Sequence, residues 1–296
     1  KYRKVGKEYL FFCPFCKHHK PKLSINLEKG AKCWVCDWST PKLYYLVNKT
    51  GNREQKSEWA NLEDIVEISD FTEDLFRERE VEEQEQIIKL PNEFISLANK
   101  TLPKTSLFAL NYLKEREVTR QDVQYWKIGY CIEGQYKNRI IIPSFNNDGY
   151  VNYYVARTFK NHWPRYKNPH VKKDIIFNEL YLNWEEPIVI VEGIFDAIKA
   201  GPNSIPILGS TLRENSKLFQ AIVKHNPIVY IALDKDAEKK SHWIIKSLLQ
   251  YDIEIYKIDV NEEDVGEMEK SKFLEAKQNS TLMSTAHYLI YQTSIV

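Results

Sequence analysis

The stretch Ile188-Val189-Ile190-Val191-Glu192-Gly193-Ile194-Phe195-Asp196-Ala197 decides the fold. Four consecutive β-branched residues with no polar alternation read as a strand buried on both faces, the habit of parallel sheets. Glu192-Gly193 ends the run, and residues 195–200 then suit a helix. The pattern repeats. Residues 205–208, 228–233 and 253–258 are short, mostly β-branched runs, with helix-compatible segments at 213–225 and 238–250 between them. Alternation of this kind predicts a parallel sheet with helices on its faces. Such sheets carry their working groups just beyond the carboxyl ends of the strands. The acids fall there: Glu192 after the first strand with Asp196 four residues on, Asp234 and Asp236 after the third, and Asp259 and Asp264 at or beyond the fourth.

Carboxylates that converge at one sheet edge repel each other unless divalent cations lie between them. Hard oxygen ligands suit Mg²⁺ or Mn²⁺. Two ions roughly 3.5–4 Å apart would activate an attacking hydroxyl and stabilise a leaving pyrophosphate. An isolated Glu-Gly or Asp-x-Asp is mostly turn chemistry. The two in this order, 42 residues apart and each after a buried strand, predict a metal site.

Upstream, Leu107, Leu110 and Leu113 with Tyr112 predict an amphipathic helix, and Thr119 caps a second one running to Trp126. Arg139-Ile140-Ile141-Ile142-Pro143 reads as a strand, Asn146-Asn147-Asp148-Gly149 as a turn, and the chain from Tyr150 to Arg157 as the returning strand. Lys137, Arg139, Arg157, Arg165 and Lys167 concentrate on this hairpin and the segment after it. Side chains at alternating strand positions share a face, which makes either a phosphate-binding groove or ordinary surface charge. The residues alone leave both open.

Near the amino end stand Cys13-x-x-Cys16 and Cys33-x-x-Cys36, sixteen residues apart. Two such hooks match one tetrahedral, structural zinc ion, each giving two thiolates from a tight turn. With short strands around Glu28-Lys29-Gly30, this predicts a zinc ribbon. Two disulfides or unligated thiols are the competing readings. His18 and His19 are not needed as ligands, and Cys131 is expected to be a small core residue. Phe11, Phe12, Phe15, Trp34 and Trp38 either stack on unpaired bases or form the core of the small module. Thr40-Pro41 predicts a helix start that Gly51 ends. Residues 52–90 are polar; 72–86 carry seven acidic and two basic side chains, reading as a partly helical linker.

The chain has 296 residues with 42 basic and 41 acidic side chains, enough for two domains and a smaller module. The balance is uneven: the first 50 residues hold eleven Lys/Arg against three Asp/Glu, a front end suited to polyanions. An apolar share of 43% excludes wholesale disorder. No apolar run approaches the ~20 residues of a membrane span, and a soluble, cytoplasmic protein is expected.

The motifs carry a resemblance. Val191-Glu192-Gly193-Ile194-Phe195-Asp196-Ala197, Gly209-Ser210-Thr211-Leu212 and Leu233-Asp234-Lys235-Asp236 resemble the TOPRIM domain of topoisomerases, bacterial-type primases and related nucleases. Asn111-Tyr112-Leu113-Lys114-Glu115-Arg116 with Ile128-Gly129-Tyr130 is similar to the helical lead-in of DnaG-type primases. Arg139 to Pro143, Arg157 and Arg165-Tyr166-Lys167-Asn168-Pro169 resemble their basic, nucleotide-handling motif, and Cys13-Pro14-Phe15-Cys16 their zinc-binding start. The order and spacing resemble a compact, phage-type DnaG-family primase.

This resemblance implies an α/β architecture in five parts: a zinc-ribbon module over 1–51, a linker over 52–90, an α+β basic subdomain over 91–183, a TOPRIM domain with a Rossmann-like parallel sheet over 184–266, and a short helical tail over 267–296. It implies a nucleotidyltransferase making short RNA primers on single-stranded DNA from ribonucleoside triphosphates, in a bacterial or phage-infected cell. Glu192, Asp234, Asp236 and Asp264 would hold Mg²⁺ or Mn²⁺, with Glu192 a ligand or a general base. Arg139, Arg157, Arg165 and Lys167 would hold template or nucleotide. There are departures: the zinc site is all cysteine, and Ala237-Glu238-Lys239-Lys240 stands where a glycine-containing turn is usual. About 37 residues follow the last strand, too few for a helicase-binding domain, so a replicative helicase would be met in trans. The rival readings are a TOPRIM nuclease or topoisomerase-like enzyme and a non-catalytic RecR-like recombination mediator. A topoisomerase needs an attacking tyrosine in a large further domain. The mediator's cysteine hooks lead almost directly into the sheet, whereas about 150 residues intervene here.

Overall fold

In the computed structural model, which describes residues 2–62, 86–209, 212–260 and 265–294, the chain divides into two units. One comprises residues 1–85 with 250–252, the other the remainder. The first unit is built on an antiparallel sheet whose five strands follow chain order: β1 (Arg3–Val5), β2 (Glu8–Phe11), β3 (Leu23–Asn26), β4 (Gly30–Cys33) and β5 (Ser39–Thr40). Asn26 makes the β3–β4 turn by accepting from the Glu28 and Lys29 amides at 2.9 and 3.1 Å. Gly30 is obligatory there. Its φ is +94°, and a Cβ would lie 2.0 Å from the Thr40 carbonyl oxygen. Two helices follow, α1 (Leu43–Thr50) and α2 (Arg53–Leu62). Thr40 is not the cap of α1: it closes β5, its hydroxyl donates to the Lys42 carbonyl at 2.9 Å, and the helix starts two residues later than expected. Leu23, Ala31, Leu43 and Leu46 form the small core together with Cys13 and Cys33.

The second unit begins along a four-stranded sheet. Its elements are β6 (Ile95–Ser96), α3 (Ser106–Glu115), α4 (Arg120–Tyr125), β7 (Gly129–Cys131), β8 (Arg139–Phe145) and β9 (Val151–Thr158), the strands antiparallel and in chain order. Helix α3 turns Ala109 and Leu113 inward, while Leu107, expected on the apolar face, is 58% exposed. Thr119 caps α4 in a reciprocal box with Asp122. The Ile88 amide donates to the Val151 carbonyl at 2.8 Å, and the Gln86 carboxamide to the Asn152 carbonyl at 2.9 Å. Residues 86–90 thus run along this body; residues 63–85, which carry the acid-rich stretch, lie outside the described residues.

The second sheet follows: β10 (Ile188–Val191), α5 (Ile194–Ala200), β11 (Ser204–Pro206), α6 (Lys217–His225), β12 (Val229–Ala232), α7 (Glu238–Leu249) and β13 (Ile255–Lys257). Its order is β11-β10-β12-β13, all parallel, with an edge strand β14 (Thr281–Leu282) antiparallel to β13. Helices α8 (Lys270–Gln278) and α9 (Thr285–Ser294) flank β14, so the carboxyl segment is not purely helical; a two-residue strand is too short to show a period. Both sheets share one core: Trp126, Tyr130, Ile140, Tyr153 and Val155 pack in the same cluster as Val189, Val191, Phe195 and Ala232. The basic hairpin and the acid-bearing sheet edge are thereby held in one body.

Candidate metal sites and nucleotide cleft

Each cysteine hook closes in the same way. The residue after the second cysteine, Lys17 in one hook and Asp37 in the other, is left-handed with φ of 53° and 55°. The Lys17 amide donates to the Cys13 carbonyl at 3.0 Å and the Val35 amide to Cys33 Sγ at 3.5 Å. Cys13 and Cys36 bring their sulfurs to 3.8 Å, as do Cys16 and Cys33, and the four sulfurs all lie within 4.8 Å of one another. A tetrahedron of sulfurs at ~2.3 Å from zinc has edges of about 3.8 Å, so the four thiols fit one zinc ion. All five cysteines are free of disulfides. Burial pushes the Cys13 and Cys33 thiols up, so their thiolates require a cation beside them. Cys131 packs with Tyr136, Ile141, Tyr154 and Ala156, its thiol pushed up to about 12 by burial. Among the aromatics, Phe11 and Trp38 pack on the small core and Trp34 is half-buried, while Phe12 and Phe15 are exposed.

The acids occupy the topological switch point of the parallel sheet. After β10 the chain moves to β11 on one side, then crosses to β12 on the other, leaving a crevice between the ends of β10 and β12. Val191 pairs with Ala232, so Glu192 and Asp234 leave neighbouring strands almost level. A 3-10 turn over Lys235–Ala237 brings Asp236 back. One carboxylate oxygen each of Glu192, Asp234 and Asp236 lies within 4.8 Å of the others, a donor set that fits a hard divalent cation. Glu192 Oε1 is 2.7 Å from the Lys240 ammonium, whereas Oε2 is buried and has no partner. Asp234 accepts from the Val265 amide at 3.4 Å. Asp196 is committed to structure: it accepts from the Gly193 amide at 2.6 Å and caps α5. Asp264 lies outside the described residues.

Facing the acids across a cavity of about 370 Å³ are Arg116, Arg157, Tyr166, Asn168 and Lys173. The Arg157 guanidinium lies 5.0 Å from the Tyr166 ring centroid and 5.1 Å from that of Phe195, and donates to the Tyr166 hydroxyl. Its Nε is buried without a partner. Burial disfavours its charge, but the Tyr166 and Tyr112 phenols more than offset that and raise its pKa. Arg116 stacks 5.0 Å from the same Phe195 ring. The remaining basic residues are placed differently. Arg139 is 4% exposed and donates to the carbonyls of Pro164 and Arg165 at 2.7 and 3.1 Å. It cannot present its charge to a ligand and instead anchors the loop behind Arg157, a correction to the expected role. Arg165 is exposed and Lys167 donates to the Gln135 carbonyl at 3.1 Å; neither lines the cleft. A second cavity of about 480 Å³ shares Lys173, Leu208 and Gly209 with the first; Ser210 and Thr211 lie outside the described residues.

Sequence reasoning passed over Lys173, for which no local signal existed. It also passed over Lys240, whose place in the first turn of α7, against the helix dipole, was a usable signal.

No family model matches the chain. Curated relatives do: one from Thermotoga maritima is 25% identical over 301 residues, covering 85% of this chain and 52% of its own length. Another from Buchnera aphidicola is 24% identical, covering 81% and 50%. Both are described as DNA primase. The chain's relatives are DNA primases. In fold, the zinc-binding and RNA polymerase domains of the Aquifex aeolicus primase match at a TM-score of 0.50 and 19% identity, over 96% of this chain and 81% of that one. A DnaG primase catalytic domain bound to single-stranded DNA matches at 0.50 and 14% identity, over 61% and 74%. The chain therefore shares its fold with the zinc-binding and RNA polymerase domains of the Aquifex aeolicus primase. The chain spans about half the length of the curated primases it matches. Among the described residues no helix is long and apolar enough to cross a membrane.

Proposed function

We propose that this chain is a DNA primase core, a DNA-directed RNA polymerase that joins ribonucleotides into short primers on single-stranded DNA. The observation that carries the reading is the meeting of Glu192, Asp234 and Asp236 at the sheet's switch point, with Glu192 and Asp234 lining one cleft with Arg157, in a chain whose relatives are primases. Glu192, Asp234 and Asp236 would hold Mg²⁺ or Mn²⁺, with Asp264 a fourth candidate. Bound there, divalent ions supply charge neutralisation at the reacting phosphates and acidify the attacking hydroxyl. Arg157, rigid between two rings, holds a phosphate of the incoming nucleotide by charge-assisted bonds. Arg116 and Lys173 extend that positive wall. Arg165 and Lys167, on the outer face, are kept for the template strand. The reaction is attack of a 3′-hydroxyl on the α-phosphate of the next ribonucleotide, forming one P–O bond and releasing pyrophosphate.

The ribbon, folded around one zinc ion held by Cys13, Cys16, Cys33 and Cys36, binds the template with Phe12 and Phe15 as stacking platforms. A replicative helicase as partner and a cytoplasmic location belong to the same proposal. Incubating the chain with single-stranded DNA, Mg²⁺ and labelled ribonucleotides should yield short RNA. Cleaved DNA without RNA would instead make this a TOPRIM nuclease.

A further inference from the structure

Two lysines stand in the first turn of α7, directly after the Asp234-Lys235-Asp236 turn. Cations at a helix amino terminus oppose the macrodipole, so their placement needs an opposing gain. For Lys240 that gain is visible. Its ammonium lies 2.7 Å from Glu192 Oε1, and both side chains are largely withdrawn from water, 22% and 26% exposed. Lys239, its neighbour, is exposed. Glu192 thus gives Oε1 to a lysine while Oε2 is buried and unpartnered, and one of its two oxygens lies within 4.8 Å of a carboxylate oxygen of Asp234 and of Asp236. Three carboxylates this close repel strongly without a cation. Lys240 supplies one positive charge from within the chain.

We propose that Lys240 is a resident counter-ion that a divalent cation must displace from Glu192. It is a positioning residue: it holds the carboxylate in place before loading and sets the divalent-ion concentration at which the cluster fills. The inference rests on the reading of Glu192, Asp234 and Asp236 as the metal site. Because the ion pair is only partly shielded, its loss is worth far less than a buried charge, about tenfold in metal affinity, or ~1.4 kcal/mol.

The test uses the zinc-replete whole chain without nucleotide or template, titrated with Mn²⁺ and read by the paramagnetic resonance signal of free Mn²⁺. Lys240→Met and Lys240→Gln, which keep length or polarity but not charge, should bind Mn²⁺ about tenfold tighter than wild type. Lys240→Arg and Lys239→Gln should stay within about threefold of wild type. A Lys240→Met or Lys240→Gln protein with a native circular dichroism spectrum and unchanged or weaker Mn²⁺ binding overturns the proposal. So does an equal gain in Lys239→Gln, which would reduce the effect to general surface charge. The double variant Glu192→Gln/Asp234→Asn separates the two readings. If it binds Mn²⁺ like wild type, the metal site itself is misassigned; if it loses Mn²⁺ while Lys240→Met is neutral, only the role of Lys240 falls.

Discussion

Replacing Cys33 by Ser should unfold the amino-terminal ribbon and leave the rest of the chain folded. Cys33 is fully buried, 3.8 Å from Cys16 in sulfur separation, and belongs to the six-residue core of its module. Apart from the cysteines, that core holds three leucines and one alanine. That is a small core for a module of five short strands and two helices, whereas a structural zinc ion contributes about 10–16 kcal/mol of folding free energy at neutral pH. The second unit has its own large core and needs no such ion. Hydrogen exchange read by mass spectrometry, with metal content measured in parallel, distinguishes the outcomes. Cys33→Ser should lack zinc and lose protection in residues 23–33, while peptides from β8, β9, β10 and β12 keep theirs. A metal-free ribbon that retains protection over residues 23–33 would refute the argument.

Asp234→Asn should reduce primer synthesis by on the order of 10²-fold or more with an unchanged melting temperature, measured on labelled RNA products and by thermal scan. Arg157→Lys keeps the charge but loses the planar contacts with Tyr166 and Phe195; nucleotide or template binding should weaken about tenfold, and an alanine there should flatten the salt dependence by about one phosphate contact. Burial, helped by Lys246, lowers the pKa of His242, which sits 2.8 Å from the Tyr288 hydroxyl. A histidine with a depressed folded pKa contributes stability above its unfolded value of about 6.5 that is lost as pH falls. Melting between pH 7.5 and 5.5 should therefore drop less steeply in His242→Gln than in wild type.

The parallel sheet was legible because its strands are buried on both faces: Ile188, Ile190 and Val191 are fully buried, and such strands read as unbroken aliphatic runs. The acids at the strand ends were legible for the same reason, since a charge after such a run can only mark the edge. The basic residues were harder. Arg139 and Arg157 alternate along opposite strands of one hairpin and look equivalent in sequence. Only the chain's return through Pro164 and Arg165 buries the first and frames the second. Register at the start of α1 was misread because Thr40, a good cap by composition, is claimed first by pairing with Ala31 in β4. Lys240 could be flagged as a lysine set against a helix dipole, but its partner, 48 residues away, could not be read from the sequence.

The two kinds of charge in the crevice differ in freedom, and that difference shapes how the site can load. Glu192 leaves a strand whose neighbours on both sides are backbone-paired, and Asp234 leaves the adjacent strand in fixed register. Spreading these acids apart would mean breaking ladder pairs in the most deeply buried part of the molecule, so their repulsion cannot relax through the backbone. Lys240 reaches the same point on a flexible four-carbon stem from a helix whose first turn is partly solvated. An incoming cation therefore meets anions already in place and one neutralising group that can leave by rotating a side chain. Reorganisation falls almost entirely on Lys240, and a site of that construction can exchange ions without disturbing the facing Arg157 wall, which is locked between Tyr166 and Phe195.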